Sequence, residues 1–178
     1  MILQIIDHYY GEGSSELKEL LLSHSRAVAD KALQICDAHP EFGLDRDFIE
    51  AAAMLHDIGI IRCDAPKIHC HGTEPYIRHG ILGAEILRSE GLPRHADVAE
   101  RHTGTGLTAA EIARQNLPLP PHDFTPRTIE EQIICYADKF YSKSHPDVEK
   151  TPGQAMRSLE KFGSEGIAVF KGWMERFE

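Results

Sequence analysis

The stretch Ala51-Ala52-Ala53-Met54-Leu55-His56-Asp57-Ile58-Gly59 carries the most information in the chain. Five small or apolar residues in a row form a helix that has to bury itself. Ending such a helix in two adjacent polar side chains is costly unless they are paired or bound to something. A divalent metal would satisfy both, because imidazole nitrogen and carboxylate oxygen together suit first-row ions such as Mn, Fe, Co or Zn. A His-Asp dipeptide alone is weak evidence, so its surroundings have to decide.

Working outward, helical periodicity dominates. Leu17, Leu20 and Leu21, then Val28, Leu33 and Ile35, then Ile49, Ala52, Ala53 and Leu55 recur at steps of three and four. Strand-like alternation is nearly absent. Asp47 with Glu50, Thr108 with Glu111 and Thr128 with Glu131 have the spacing of capping boxes, and Thr151-Pro152 reads as a cap followed by proline at the first helical position. Gly59, Gly91 and Gly163 stand where helices would end. These signals predict helices near 2–9, 15–37, 47–58, 76–90, 93–103, 108–116, 128–143, 152–162 and 164–177, with a possible break near Ser23. Segments 60–75 and 117–127 read as loops. The expectation is an all-α helical bundle in one domain spanning 1–178, with the helices of 152–178 packed on it.

The 178 residues carry 28 acidic against 19 basic side chains, a net charge of −9, which argues against a protein that coats nucleic acid or an anionic membrane. The four cysteines Cys36, Cys63, Cys70 and Cys135 form no CxxC pair and read as reduced thiols. Cys63, His69, Cys70 and His71 lack the paired spacing of a zinc site. The N-terminus has no basic leader and no stretch approaches membrane-spanning length, so a cytoplasmic location is expected. Eleven histidines are a heavy load for this length. His8, His39, His95, His122 and His145 read as bystanders near helix ends or loops. His24, His79, His102 and Asp138 sit instead in or beside apolar helical stretches, as ligands do when neighbouring helices assemble a metal site.

The order His24, His56-Asp57, Asp138 resembles the signature of the HD superfamily of metal-dependent phosphohydrolases, and His56-Asp57-Ile58-Gly59 matches its HDIG subgroup. Arg78-His79-Gly80 and Arg101-His102-Thr103 resemble the further histidine segments of branches that hold two metals. The match runs from His24 to Lys139. The resemblance implies a bundle with a central metal site, with His24, His56, Asp57 and Asp138 on one ion, His79 and His102 on a second, and Asp57 bridging. Two ions about 3.5–4 Å apart can hold a bridging hydroxide as the nucleophile for phosphoryl transfer. His56, Asp57 and Lys139 are then the catalytic candidates. Arg62, Lys67, Arg78 and Arg101 are candidates for gripping a small phosphorylated substrate, foremost a nucleotide, because guanidinium and ammonium groups suit phosphate, and His69, like His71, is a candidate substrate contact or general acid because imidazole titrates near neutrality. No GxSxG or P-loop pattern offers a different nucleophile or phosphate cradle.

Enzymes of this branch that split dinucleoside polyphosphates are similar in length and motif order. The Gly-Tyr-Pro element of the cyclic-dinucleotide branch does not occur. Two rival functions remain, a di-iron oxygenase on the same ligand set and a non-catalytic metal-binding module.

Overall fold

In the computed structural model, which describes residues 1–178, the periodic stretches become nine α-helices. They are α1 (Ile2–Tyr10), α2 (Glu16–Ala38), α3 (Arg46–Leu55), α4 (His79–Ser89), α5 (Pro93–Arg101), α6 (Ala109–Arg114), α7 (Ile129–Asp138), α8 (Pro152–Leu159) and α9 (Ser164–Phe177). Caps set several of their starts. The Thr108 hydroxyl accepts from Glu111 N while the Glu111 carboxylate accepts from Thr108 N, and Thr151 with Gln154 does the same ahead of Pro152. Thr128 accepts from Glu131 N, but the Glu131 carboxylate is taken by Arg101 and by Arg127 N, so that box is only half formed. Helix α3 is capped by Asp45, two residues before the expected Asp47, and α2 runs through Ser23 without a break.

The helices bury two large apolar clusters, with a small third one at Leu107, Ile112 and Phe124. One gathers Val28, Ala32, Ile49, Ala53, Ile134 and Tyr136 with Phe140, Phe170 and Phe177, so the two C-terminal helices close over α7. The other gathers Ile6, Leu21, Leu55, Ile58, Leu87 and Ala99. Each large side chain so buried contributes about 1.5–3 kcal/mol. Helix α2 contributes to both clusters, Leu21 to the second and Val28 to the first, and α3 does likewise through Met54 and Leu55. His24 and His56 fall next to those divides, so the polar residues lie along the seam between the two cores.

Three differences from the sequence reading bear on the site. Segment 60–75 is not only loop. It holds a three-stranded sheet ordered β2-β1-β3, with β1 (Cys63–Ala65) antiparallel to β2 (Cys70–His71) and parallel to β3 (Glu74–Pro75). Strands of two or three residues are too short for alternation to register. Gly59 caps no helix: α3 stops at Leu55, and Gly59 lies in a 3-10 turn over Ile58–Arg62. A Cβ there would stand 2.2 Å from the His79 carbonyl oxygen and 2.3 Å from Gly83 N, so glycine is needed for close approach to α4. Finally, α7 ends at Asp138 rather than near 143: one tight turn follows, with Tyr141 N donating to the Asp138 carbonyl, and the chain then reverses where Ser142 pairs with His145, so that Lys150 N donates to the Phe140 carbonyl. No helix is long and apolar enough to cross a membrane.

Candidate metal centre

Three of the four site histidines are aimed by the backbone three residues before them. The Nδ1 atoms of His56, His79 and His102 lie 2.6, 2.7 and 2.6 Å from the carbonyl oxygens of Ala53, Tyr76 and Ala99, each three residues earlier. Nδ1–H donates to that carbonyl, which leaves the Nε2 lone pair free and pointed at the centre. His24 comes from the middle of α2, with its Nε2 3.0 Å from Asp138 Oδ1. The ring of Tyr76 stacks on that of His79 at 4.7 Å and 19°.

Asp57 organises the rest, because its two oxygens face different neighbours. Oδ2 lies 3.2 Å from His24 Nε2 and 3.1 Å from His56 Nε2. Oδ1 lies 3.5 Å from His79 Nε2 and 3.3 Å from His102 Nε2. Two ligand groups result, His24–His56–Asp57–Asp138 and Asp57–His79–His102, each with its ligand atoms within 4.8 Å of one another and every residue buried. They share Asp57.

The donors fit a metal better than they fit each other. Both oxygens of Asp57 and Nε2 of His56 are buried without a hydrogen bond. Orphaned buried polar atoms are costly, and several of them converging on one point are what a cation satisfies. The neighbouring charges favour anionic carboxylates. Burial works to raise the Asp57 pKa, but His56 and Lys143, with His102 and His24 close by, hold it well below the usual carboxylate range. Asp138 is also held well below it: burial opposes this, and Lys139 with His24 and His56 overcomes it. Burial opposes charge on His56 too, yet Asp57 and Asp138 lift it to about 9. His79 is lowered to about 3, by burial and then by His102.

Two lysines supply the balancing charge. Lys139 Nζ lies 2.7 Å from Asp138 Oδ2 and donates to the His102 carbonyl at 2.9 Å. Lys143 Nζ lies 2.7 Å from Asp57 Oδ2. Beside the centre is a cavity of about 160 Å³ whose wall includes Tyr76, His79, His102, Asp138, Lys139 and Lys143.

The structure gathers His24, His56, Asp57, His79, His102, Asp138 and Lys139 in one place, but Arg62, Lys67, His69, Arg78 and Arg101, named for substrate contact, point elsewhere. Arg62 is exposed and pairs with Glu85 at 3.0 Å, and Arg78 pairs with Glu74 at 2.9 Å. His69 stands 3.2 Å from Glu16, and Lys67 is exposed in a 3-10 turn after β1. Arg101 is buried with both Glu131 oxygens 3.1 Å from its Nη1, which makes it a structural anchor. None of the five lines the cavity. A basic residue next to a ligand in sequence leaves its helix on a different side, and that is why adjacency misleads here. Sequence reading missed Tyr76 and Lys143. Only the early end of α7 brings Lys143 back to Asp57, and no local signal marks that.

The fold and centre define a helical protein with a buried His/Asp cluster able to hold divalent metal ions. The family model of the HD domain matches residues 21–142, so the chain belongs to the HD-domain family. Among curated proteins, the chain is 38% identical over 123 residues to an uncharacterized protein of Methanocaldococcus jannaschii, covering 67% of this chain and 65% of that one. It is 36% identical over 130 residues to a tRNA (cytidine(56)-2'-O)-methyltransferase of Picrophilus torridus, covering 72% of this chain and 33% of that one. It is 33% identical over 138 residues to the protein of that name from Thermoplasma volcanium, covering 77% and 35%. The chain thus spans about a third of the two methyltransferases. No solved structure matches it.

Proposed function

We propose that the chain is a metal-dependent phosphohydrolase that cleaves a phosphoester or phosphoanhydride of a small phosphorylated compound, foremost a nucleotide. One observation carries this reading: a single buried carboxylate, Asp57, divided between two ligand groups at the wall of a lysine-lined cavity. His24, His56, Asp57 and Asp138 would hold one ion, and Asp57, His79 and His102 the second. Bound ions of this kind neutralise phosphate oxygens and make water nucleophilic near neutral pH.

The chain's own groups do the rest. Hydrolysis puts the oxygen of water on phosphorus, breaks the bond to the leaving oxygen and delivers a proton to that oxygen. Lys143 meets the phosphate as a point charge and opposes the negative charge that builds as the bond breaks. Lys139 is held by Asp138 and by the His102 carbonyl, so it acts as a positioning residue that fixes both ligands. Burial of His24, His56 and Asp57 keeps bulk water off the ligand atoms and strengthens every interaction among them.

The relatives named for tRNA methylation do not change this reading. The chain matches only about a third of their length, and a methyl transfer has no need of six converging His and Asp ligands. We infer that the portion shared with them serves in this chain as a hydrolytic module and not for methyl transfer. The decisive test measures bound metal in the purified protein and phosphate release from nucleotides, dinucleoside polyphosphates and sugar phosphates with Mn, Fe or Co supplied. Bound first-row metal with phosphate release is expected. Oxygen uptake by the iron form with no phosphate release would replace this reading by an oxygenase, and methyl incorporation into tRNA would refute the assignment of the module.

A further inference from the structure

Beyond the metal centre the cavity continues in two directions. On one side it opens into a space of about 130 Å³ walled by Lys139, Lys143, Lys150 and Lys161 with Ser158 and Gly104. On the other it opens into about 270 Å³ walled by Tyr76, Ile77, Phe162, Thr103 and Gln115. Both spaces share residues with the cavity at the centre, Lys139 and Lys143 with the first and Tyr76 and His79 with the second, so the centre lies between them.

Four ammonium groups around one space are unusual in a chain of net charge −9. Lys139 and Lys143 have carboxylate partners in Asp138 and Asp57. Lys150 and Lys161 have none. Lys150 donates only to the Ser158 hydroxyl, at 3.2 Å, and Lys161 lies over the Phe162 ring at 4.9 Å. Burial lowers the pKa of both; at Lys150 the Asp138 carboxylate works the other way, and repulsion from the other lysines lowers both further. Asp138 is the one carboxylate on the wall that the four ammonium groups share. Like charges that outnumber their counter-charge cost free energy that an anion would recover.

We infer that Lys150 and Lys161, with Lys139 and Lys143, form a subsite for a second phosphate group, so that the substrate is a nucleotide carrying two or more phosphates. This rests on the phosphohydrolase reading. The scissile phosphate sits at the centre, the second phosphate enters the lysine space, and the base and sugar occupy the space beside Tyr76, Ile77 and Phe162. Gln115 offers a donor and an acceptor to the edge of a base.

The test uses the metal-loaded protein and the double variant Lys150→Gln/Lys161→Gln. Activity is compared on a nucleoside 5'-monophosphate, the 5'-diphosphate and the 3',5'-bisphosphate. The ratio of kcat/KM for a two-phosphate substrate over the monophosphate is expected to fall about tenfold or more in the variant, since an ammonium–phosphate contact is a strong charge-assisted bond. Loss on the diphosphate alone assigns the second phosphate to the same chain as the first, and loss on the bisphosphate alone assigns it to the sugar. An unchanged ratio for both overturns the subsite. Calorimetry with inorganic tripolyphosphate gives a readout independent of turnover. Binding about tenfold weaker in the variant supports the subsite even if no nucleotide is cleaved, which would defeat only the hydrolase reading. Equal binding overturns the subsite.

Discussion

The two ligand groups around Asp57 are built differently. The group of four draws on α2, the end of α3 and the end of α7, and it has two carboxylates to set against the charge of an ion. The group of three draws on the first residue of α4 and the residue after α5, and its only carboxylate is the one it shares. Its histidines also line the cavity, whereas His24 and His56 do not. Of the group of four, only Asp138 lines it as well. On the function proposed above, the group with two carboxylates would hold its ion more tightly, and the group of three would hold the ion nearer the substrate. The contrast shows how one residue, by offering an oxygen to each side, ties together two groups of unequal charge.

The sharpest way to break the comparison is Asp57→Ala. Both ions should be lost and phosphate release abolished, read by metal analysis and activity, and retention of either ion would show that the two groups stand apart. Substitution within one group comes next. His24→Ala should remove the tighter ion, while His79→Ala should remove only the weaker one and leave about one per chain. Equal losses from the two variants would erase the difference between the groups. Gly59→Ala acts through packing: a Cβ 2.2 Å from the His79 carbonyl forces α4 outward, costing about 3 kcal/mol of stability in thermal melts and weakening the group of three first. The smallest effect is expected from Tyr76→Ala, which frees the His79 ring. Loss of a stacked pair worth about 0.5–1.5 kcal/mol should weaken the second ion about two- to tenfold in a metal titration.

What could be read from the sequence divides along a physical line. Helices show themselves through periodicity and caps, and Thr108 and Thr151 mark their starts to the residue. His24, His56-Asp57, His79, His102 and Asp138 are visible because polar residues in apolar helices need a reason. The sheet within 63–75 was hidden by the shortness of its strands. The lysines around the centre were hidden for another reason. Arg62, Arg78 and Arg101 stand next to ligands in sequence yet end on acidic partners, whereas Lys143 reaches Asp57 through a chain reversal. Lys150 and Lys161 come to the centre only when α8 folds across it. Contacts made by tertiary packing leave no periodic trace.

The position of Lys150, Lys161 and Phe162 has a consequence for how such proteins diversify. All three lie beyond residue 142, where the family match ends, while every metal ligand lies inside it. On the proposed function, the ligands for metal would then lie wholly within the family match, while part of the apparatus for choosing a molecule lies outside it. Relatives could keep the first and exchange that part of the second, so an intact ligand signature would identify a chemistry without identifying a diet.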